Sequence, residues 1–216
     1  MSTASADVRG ALADAPSAPL SREFFARPTE IVARELLGAW LLRTTDDGLC
    51  GGRIVEAEAY GGPEDLASHA RAGRTRRTTP MFGPVGHAYV YLIYGMHECL
   101  NVVAFRGREA GAVLIRAIEP LLGVDQIRRR RARPNDPDWR LCSGPARVSQ
   151  GLAIDRSLDG HDLTAGEGLW LAATTPAPPD HEVAVGTRVG VEYAGDWAAQ
   201  HWRYWLAGHP SVSRRR

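Results

Sequence analysis

The sequence predicts a single α+β domain, antiparallel strands and short helices around one core, and three observations carry that prediction. Its 216 residues are 44% hydrophobic and 24% charged, which suits one globular unit with a real core. Two turn signals each join a pair of strand-like runs: Asp46-Asp47-Gly48 links 39–45 to 49–60, and Tyr94-Gly95-Met96-His97 links 87–93 to 98–105. Around these hairpins lie short apolar segments bounded by helix start and stop residues.

The first element is a short helix opened by Pro28-Thr29, carried by Ile31, Val32, Leu36 and Leu37, and ended near Gly38. In the hairpin that follows, Ile54, Glu56, Glu58 and Tyr60 alternate with Val55, Ala57 and Ala59, so both carboxylates and the tyrosine are expected on one strand face. Such a face is not plain core. Gly61-Gly62-Pro63 breaks the strand, and Pro63-Glu64-Asp65 is expected to open a helical turn carrying His69. Arg71 to Thr79 reads as a polar loop able to track phosphates, with Arg71, Arg74, Arg76 and Arg77 in nine residues.

The second hairpin places Tyr91 inside its first arm, Asn101 inside its second and Tyr94 to His97 at its tip. A further strand over 112–118 carries Arg116 among Val113, Leu114, Ile115 and Ile118, where a charge needs a partner or a ligand. A helix is expected over 121–131 with Arg128 to Arg131 in its last turn, then an irregular loop over 132–140. Ser143-Gly144-Pro145 reads as a helix start, with Arg147 in the first turns and Gly151 as a stop. GLWLAAT and TRVGVEYAG read as further strands, with Trp197, Trp202, Tyr204 and Trp205 in a capping segment.

Composition narrows the function classes. A formal net charge of +1 argues against a uniformly basic binder and permits a local basic stripe from the clusters at 71–77 and 128–133. Cys50, Cys99 and Cys142 show no CxxC spacing and are odd in number, so neither a disulfide framework nor a structural zinc site is indicated, and a reducing, intracellular compartment is expected. No apolar run approaches membrane-spanning length. Residues 1–20, rich in Ala, Ser and Pro without an apolar h-region, predict a disordered leader. HExxH, GxSxG, P-loop and dinucleotide fingerprints are missing, as is the HxE with PCxxC pattern of zinc deaminases.

Two carboxylates two apart on a strand suit an acid/base pair of a glycosidase, since same-face neighbours sit roughly 7 Å apart, although an arbitrary pair of this kind is more often a solvated face. Their company argues for chemistry: Tyr60 shares the face, His69 follows, and Arg116 offers a cation. A tyrosine at a hairpin tip is exposed by geometry, and a protruding planar side chain suits insertion between stacked bases. A flipped nucleotide needs flat faces, groups that test its edge, and cations for flanking phosphates. Tyr60 and Tyr91, His69 and Asn101, and the arginines supply each of these.

The segments IVEAEAYGGPEDLASHA, MFGPVGHAYVYLIYGMHECLN, VLIRAIEP and LCSGPARVSQGLAI, in that order, resemble the alkyladenine (3-methyladenine) DNA glycosylase family over most of residues 21–213. The resemblance implies one domain over 21–213, a curved antiparallel sheet with flanking helices, and a protruding β-hairpin that enters the DNA minor groove. It implies hydrolysis of the N-glycosidic bond of alkylated or deaminated purines (3-methyladenine, 7-methylguanine, hypoxanthine, ethenoadenine), with no cofactor and no metal. The partner is double-stranded DNA containing damaged purines; a monomer with no membrane attachment is expected, cytoplasmic and nucleoid-associated if the source is bacterial.

Carried over by motif, Glu58 is the general base, and Arg116 with the backbone carbonyl of Val189 holds the attacking water. Tyr60 and Tyr91 stack on the flipped base, His69 contacts it through backbone and ring, and Asn101 rejects guanine through its 2-amino group. Tyr94 is the wedge with Met96 beside it, and Arg74, Arg131, Arg147 and Arg156 are DNA contacts. Glu56 becomes a structural neighbour of Glu58. All 26 Lys+Arg positions are arginine. A strand-cleaving glycosylase needs an amine for its Schiff base, usually lysine, so a monofunctional enzyme is expected.

Overall fold

The computed structural model describes residues 18–105, 110–173 and 178–213. Residues 1–17 of the expected leader lie outside this range. Pro19 already bridges to Ala172, and the Leu20 N–H donates to Leu171 O at 2.7 Å, so packing begins ahead of residue 21.

Strands β1 (Trp40–Thr45) and β2 (Gly48–Tyr60) form the first hairpin about Asp46-Asp47, as its turn signal predicts. β2 is the spine of an eight-stranded sheet. It pairs with β1 along 48–53, with β5 (Ala112–Leu122) along 51–60 and with β8 (Arg203–Leu206) along 56–58. Beyond β5 lie β4 (His97–Val103) and then β3 (Ala88–Ile93); beyond β1 lies β6 (Leu169–Ala172), while β7 (Val183–Gly186) pairs with β8. Every pairing is antiparallel.

Among the described residues five short helices flank the sheet: α1 (Arg22–Phe25), α2 (Thr29–Glu35), α3 (Val124–Arg131), α4 (Asp138–Leu141) and α5 (Pro145–Gly151). Period-two alternation sorts the strands into two faces. Val90, Leu100, Val102, Val113, Ile115, Ala57 and Ala59 join Phe25, Val32, Ile127 and Val148 of the helices in the main core. The intervening residues Tyr89, Tyr91, Cys99, Asn101, Ala112, Leu114, Arg116 and Tyr60 line a cavity instead.

Besides a shift at Gly51/Gly52, the β2–β5 register slips at a pair of bulges beside the glutamates. Between Ile54 and Glu56 the register with β5 advances two residues on β2 for one on β5, and between Glu56 and Ala57 it advances one for two. Val55 and Arg116 are therefore the unpaired extra residues, and the slip sends Ile54 into the main core with Ala57 and Ala59. The strict alternation that put Ile54 beside Glu56, Glu58 and Tyr60 fails for this reason.

Other expectations shift too. Pro63 to Asp65 forms a turn; the helical turn starts later, at His69–Ala72, capped by Ser68, whose hydroxyl accepts the Ala70 N–H at 3.1 Å. β5 runs on to Leu122, so α3 begins at Val124, after Gly123 in left-handed backbone. The 132–140 loop contains the start of α4. TRVGVEYAG is no strand: after β7 the chain is irregular, then forms 3-10 turns over Glu192–Ala199. At the second hairpin Tyr94 (φ 54) and Gly95 (φ 70) both take left-handed backbone, and the Met96 N–H closes on Ile93 O at 3.2 Å. Among the described residues no helix is long and apolar enough to cross a membrane.

Gly52 shows how tightly the spine is seated: a Cβ there would lie 1.8 Å from Glu119 O. Gly52→Ala must part β2 from β5 beside the bulges, an overpacking cost of about 1–3 kcal/mol. At roughly 2–4 °C per kcal/mol for a domain of this size, the expected result is a clear fall in Tm by calorimetry. A Tm within a degree of wild type would show that the strands yield freely.

Candidate active site

One register row crosses the sheet through Tyr89, Asn101, Leu114, Glu58 and Arg203, each directly opposite the next. It brings four strands to a cavity of about 230 Å³, lined by Tyr60, His69, Tyr91, Asn101, Arg116 and Val189 among others. Glu58 lies beneath this lining, completely buried. Its Oε2 accepts the Tyr60 hydroxyl at 2.9 Å and Arg116 Nη1 at 3.2 Å, while Oε1 accepts the Val189 N–H at 2.8 Å. The contact Val189 makes with Glu58 is thus through its amide, not its carbonyl.

Glu56 has a different environment. It too is fully buried, and it accepts from Arg116 Nε (2.8 Å), Arg203 Nε (2.7 Å), the Ser213 N–H (2.7 Å) and the Ser213 hydroxyl (2.9 Å). Three of these donors converge on Oε1 and the Ser213 N–H reaches Oε2, so both oxygens are held within the fold. Arg116 spans both carboxylates; burial alone would favour loss of its proton, but Glu58 and Glu56 more than offset this and hold it firmly cationic.

The walls are aromatic. Tyr60 carries the Arg188 guanidinium against its ring, 4.8 Å from the centroid, while the ring also lines the cavity. Burial, then the Glu58 charge, pushes its phenol well above the usual range, so the hydroxyl stays a donor to Glu58. The rings of His69 and Tyr91 meet edge to face at 4.5 Å. His69 Nδ1 lies 3.0 Å from the Tyr89 hydroxyl, and burial, reinforced by Arg77 and Arg71, lowers its pKa to about 4, so the imidazole is neutral near pH 7. Asn101 Nδ2 donates to Tyr89 O at 3.1 Å, which fixes the orientation of its amide. Among the described residues no group of three or more His, Cys, Asp or Glu is arranged to hold a metal.

The hairpin tip stands at the cavity rim, with Tyr94 84% and Met96 70% exposed. A groove on one side of its base is lined by His97, Arg131, Arg133 and Arg147, and a second by Glu98, Arg76, Arg77 and Arg156. Arg156 is exposed and pairs with Glu98 at 3.1 Å. Arg131 is partly committed to the fold, donating to Leu141 O at 3.0 Å and to the Gln150 side chain, and Arg147 donates to the Ser143 hydroxyl at 2.8 Å. Arg74 lies apart from both grooves, exposed and held against Phe82.

Sequence reasoning missed Arg188, Asp65, Arg203 and Ser213. The signal that flagged Arg116, a charge set among apolar neighbours, is present at Arg188 in TRVGV and at Arg203 in HWRYWL.

The chain is similar to known proteins along most of its length. The family model described as methylpurine-DNA glycosylase matches residues 23–210. A Streptomyces avermitilis chain carrying the assignment 3-methyladenine DNA glycosylase is 49% identical over 197 residues, covering 90% of this chain and 91% of its own. The human DNA-3-methyladenine glycosylase is 42% identical over 203 residues, covering 90% of this chain and 67% of its own, and the mouse DNA-3-methyladenine glycosylase is 43% identical over 212 residues, covering 91% and 62%. The match spans nearly the whole described chain, and the chain belongs to the methylpurine-DNA glycosylase family of DNA-repair hydrolases.

Proposed function

We propose that the protein rotates alkylated or deaminated purines out of duplex DNA into the cavity and hydrolyses their N-glycosidic bond with a water activated by Glu58. The substrates are of the 3-methyladenine, 7-methylguanine, hypoxanthine and ethenoadenine class. The observation that carries this reading is the placement of Glu58 at the base of an aromatic cavity with one acceptor position unfilled. A carboxylate offers about four lone-pair sites, and three donors occupy three of them. The free one is on Oε1, next to Val189. A water held there passes its proton to Glu58 as its oxygen bonds the anomeric carbon, and the glycosidic electron pair leaves with the base.

Size and electrostatics suit the cargo. About 230 Å³ lies below the ~300–1,000 Å³ typical of drug-sized sites and fits one planar heterocycle. Tyrosine faces attract a base made cationic by N3 or N7 alkylation, by roughly 0.5–2 kcal/mol. Such a base is already a good leaving group, so the protein need only place water and stabilise positive charge developing on the sugar. A neutral base such as hypoxanthine depends more on its own protonation and on fit. Tyr94 fills the gap left in the duplex, Met96 packs beside it, and Arg131, Arg147 and Arg156 in the flanking grooves, with Arg74, hold the backbone. The chain has no lysine, so the product is an abasic site in an uncut strand; a borohydride-trapped adduct with abasic DNA would overturn this.

A sugar-polymer hydrolase working with Glu56 and Glu58 as a pair is disfavoured, because Glu56 is fully buried away from the cavity lining and ion-paired with both Arg116 and Arg203. The test of the whole reading is free-base release from duplexes carrying one lesion each. Release of none of the four bases would sink it.

Glu58→Gln is expected to keep affinity for an ethenoadenine duplex while single-turnover base release falls by about 10²–10⁴, the usual worth of a general base. Retained turnover would falsify its role. Tyr94→Ala is expected to weaken duplex binding more than it slows cleavage of single-stranded substrate; equal losses count against the wedge. His69 supplies a pH test. Its folded pKa of about 4 lies below the unfolded value near 6.5, so the unfolded chain binds the extra proton first. The stability contributed by neutral His69 is present above about pH 6.5 and is lost as pH falls towards 4. Wild-type Tm should therefore drop more steeply over that window than the Tm of His69→Gln, and parallel curves would show that His69 does not titrate there.

A further inference from the structure

Arg188 and Asp65 form an ion pair whose two side chains are both wholly shielded from solvent, directly behind the cavity wall. Arg188 Nη1 and Nη2 reach Asp65 Oδ2 and Oδ1 at 2.6 and 2.9 Å, a bidentate geometry. The same two nitrogens donate to Ala59 O at the end of β2 and to Trp197 O, each at 3.0 Å. The guanidinium plane packs on the Tyr60 ring at 4.8 Å and on Trp202 at 5.1 Å. Asp65 in turn accepts the Gly61 N–H at 2.9 Å and the Ala67 N–H at 3.0 Å. One ion pair therefore joins three pieces of chain: the end of the spine strand, the 61–67 turn that leads to His69, and the irregular segment that begins at Arg188.

The next residue is Val189, whose N–H holds Glu58 Oε1. A buried ion pair is weak evidence for stability, because desolvation offsets much of its Coulomb attraction, so its placement here calls for a positional explanation. We propose that Arg188, clamped by Asp65, is a positioning residue for base excision: it fixes the Val189 N–H on Glu58 Oε1, leaving the other lone pair of that oxygen aimed at the water, and it backs the Tyr60 ring on which the base stacks. The proposal rests on the glycosylase reading above. It assigns no proton transfer to Arg188, which touches neither water nor base.

Two variants of the full-length protein test it. Arg188→Lys keeps the charge and loses the planar fork. Arg188→Met combined with Asp65→Leu removes both charges and leaves no ion unpaired. Four quantities are measured: Tm, affinity for a duplex carrying an abasic-site analogue, single-turnover base release at saturating protein, and amide hydrogen exchange at Val189. The expected result is affinity within about threefold of wild type and release slowed by roughly 10²-fold, the scale of a misplacement near 1 Å. Val189 protection should be lost in the double variant. Arg188→Lys should recover Tm further than it recovers release. Release within threefold of wild type in the double variant overturns the proposal, as does slowed release that tracks Tm and returns on cooling while Val189 stays protected. If the wild type released no base at all, the glycosylase reading would fall, and the Val189 exchange would still decide whether the clamp holds that amide.

Discussion

Arg116 stands between two buried glutamates, and the rest of the site is built around that placement. Its Nε meets Glu56 at 2.8 Å and its Nη1 meets Glu58 at 3.2 Å, with Arg203 completing the group on the far side of Glu56. Two carboxylates and two guanidiniums balance within one desolvated cluster. Each buried ion costs several kcal/mol to desolvate, so removing any one strands an uncompensated charge. The cluster forms where the β2–β5 register slips, and Arg116 is the residue the slip leaves unpaired on β5. A regular ladder would have held it directly opposite a β2 residue, whereas the bulge lets one guanidinium reach two glutamates.

The sheet separates duties by face. The helix-covered side is a dry core of Leu, Ile, Val and Ala, and the other side holds tyrosines, Asn101, Arg116 and the glutamates. Rigidity on the first permits polarity on the second: a catalytic constellation must be held to a fraction of an ångström, and strands of an extended sheet do so better than loops. The loops that remain, 61–82 and 187–199, contribute His69 and Val189, and both are tied down by buried hydrogen bonds.

Much of this was legible in the sequence, for reasons that can be named. HAYVYLI and ECLNVVAF put Tyr91 and Asn101 inside the two arms of a hairpin, and both arms are regular strands. Alternation in IVEAEAY put Glu56, Glu58 and Tyr60 on one face, yet misplaced Ile54, since a bulge depends on cross-strand partners that local pattern does not encode. TRVGVEYAG has the residue types of a strand and is not one. Arg188 is drawn inward to Asp65, 123 positions earlier, and Gly190 takes left-handed backbone (φ 77), so tertiary pairing overrides local propensity. The same long-range origin hid Ser213, whose N–H and hydroxyl both serve Glu56 from the end of the described chain.

Two glutamates two residues apart thus end with unlike chemistry although their covalent structures are identical. Glu56 takes four donors, two of them from guanidiniums, out of reach of the cavity lining; its work is to keep Arg116 in place. Glu58 receives three donors, and the identity of one of them matters. Tyr60 gives its hydroxyl to Glu58 Oε2 while its ring lines the cavity, so in the proposed function the side chain that meets the base is also the one that orients the general base. A ligand that tilts the Tyr60 ring must also move its hydroxyl relative to Oε2, because the two are rigidly joined. On the proposed mechanism, discrimination between bases and activation of water are then coupled through one side chain, and a poorly stacked base meets a less well-oriented carboxylate.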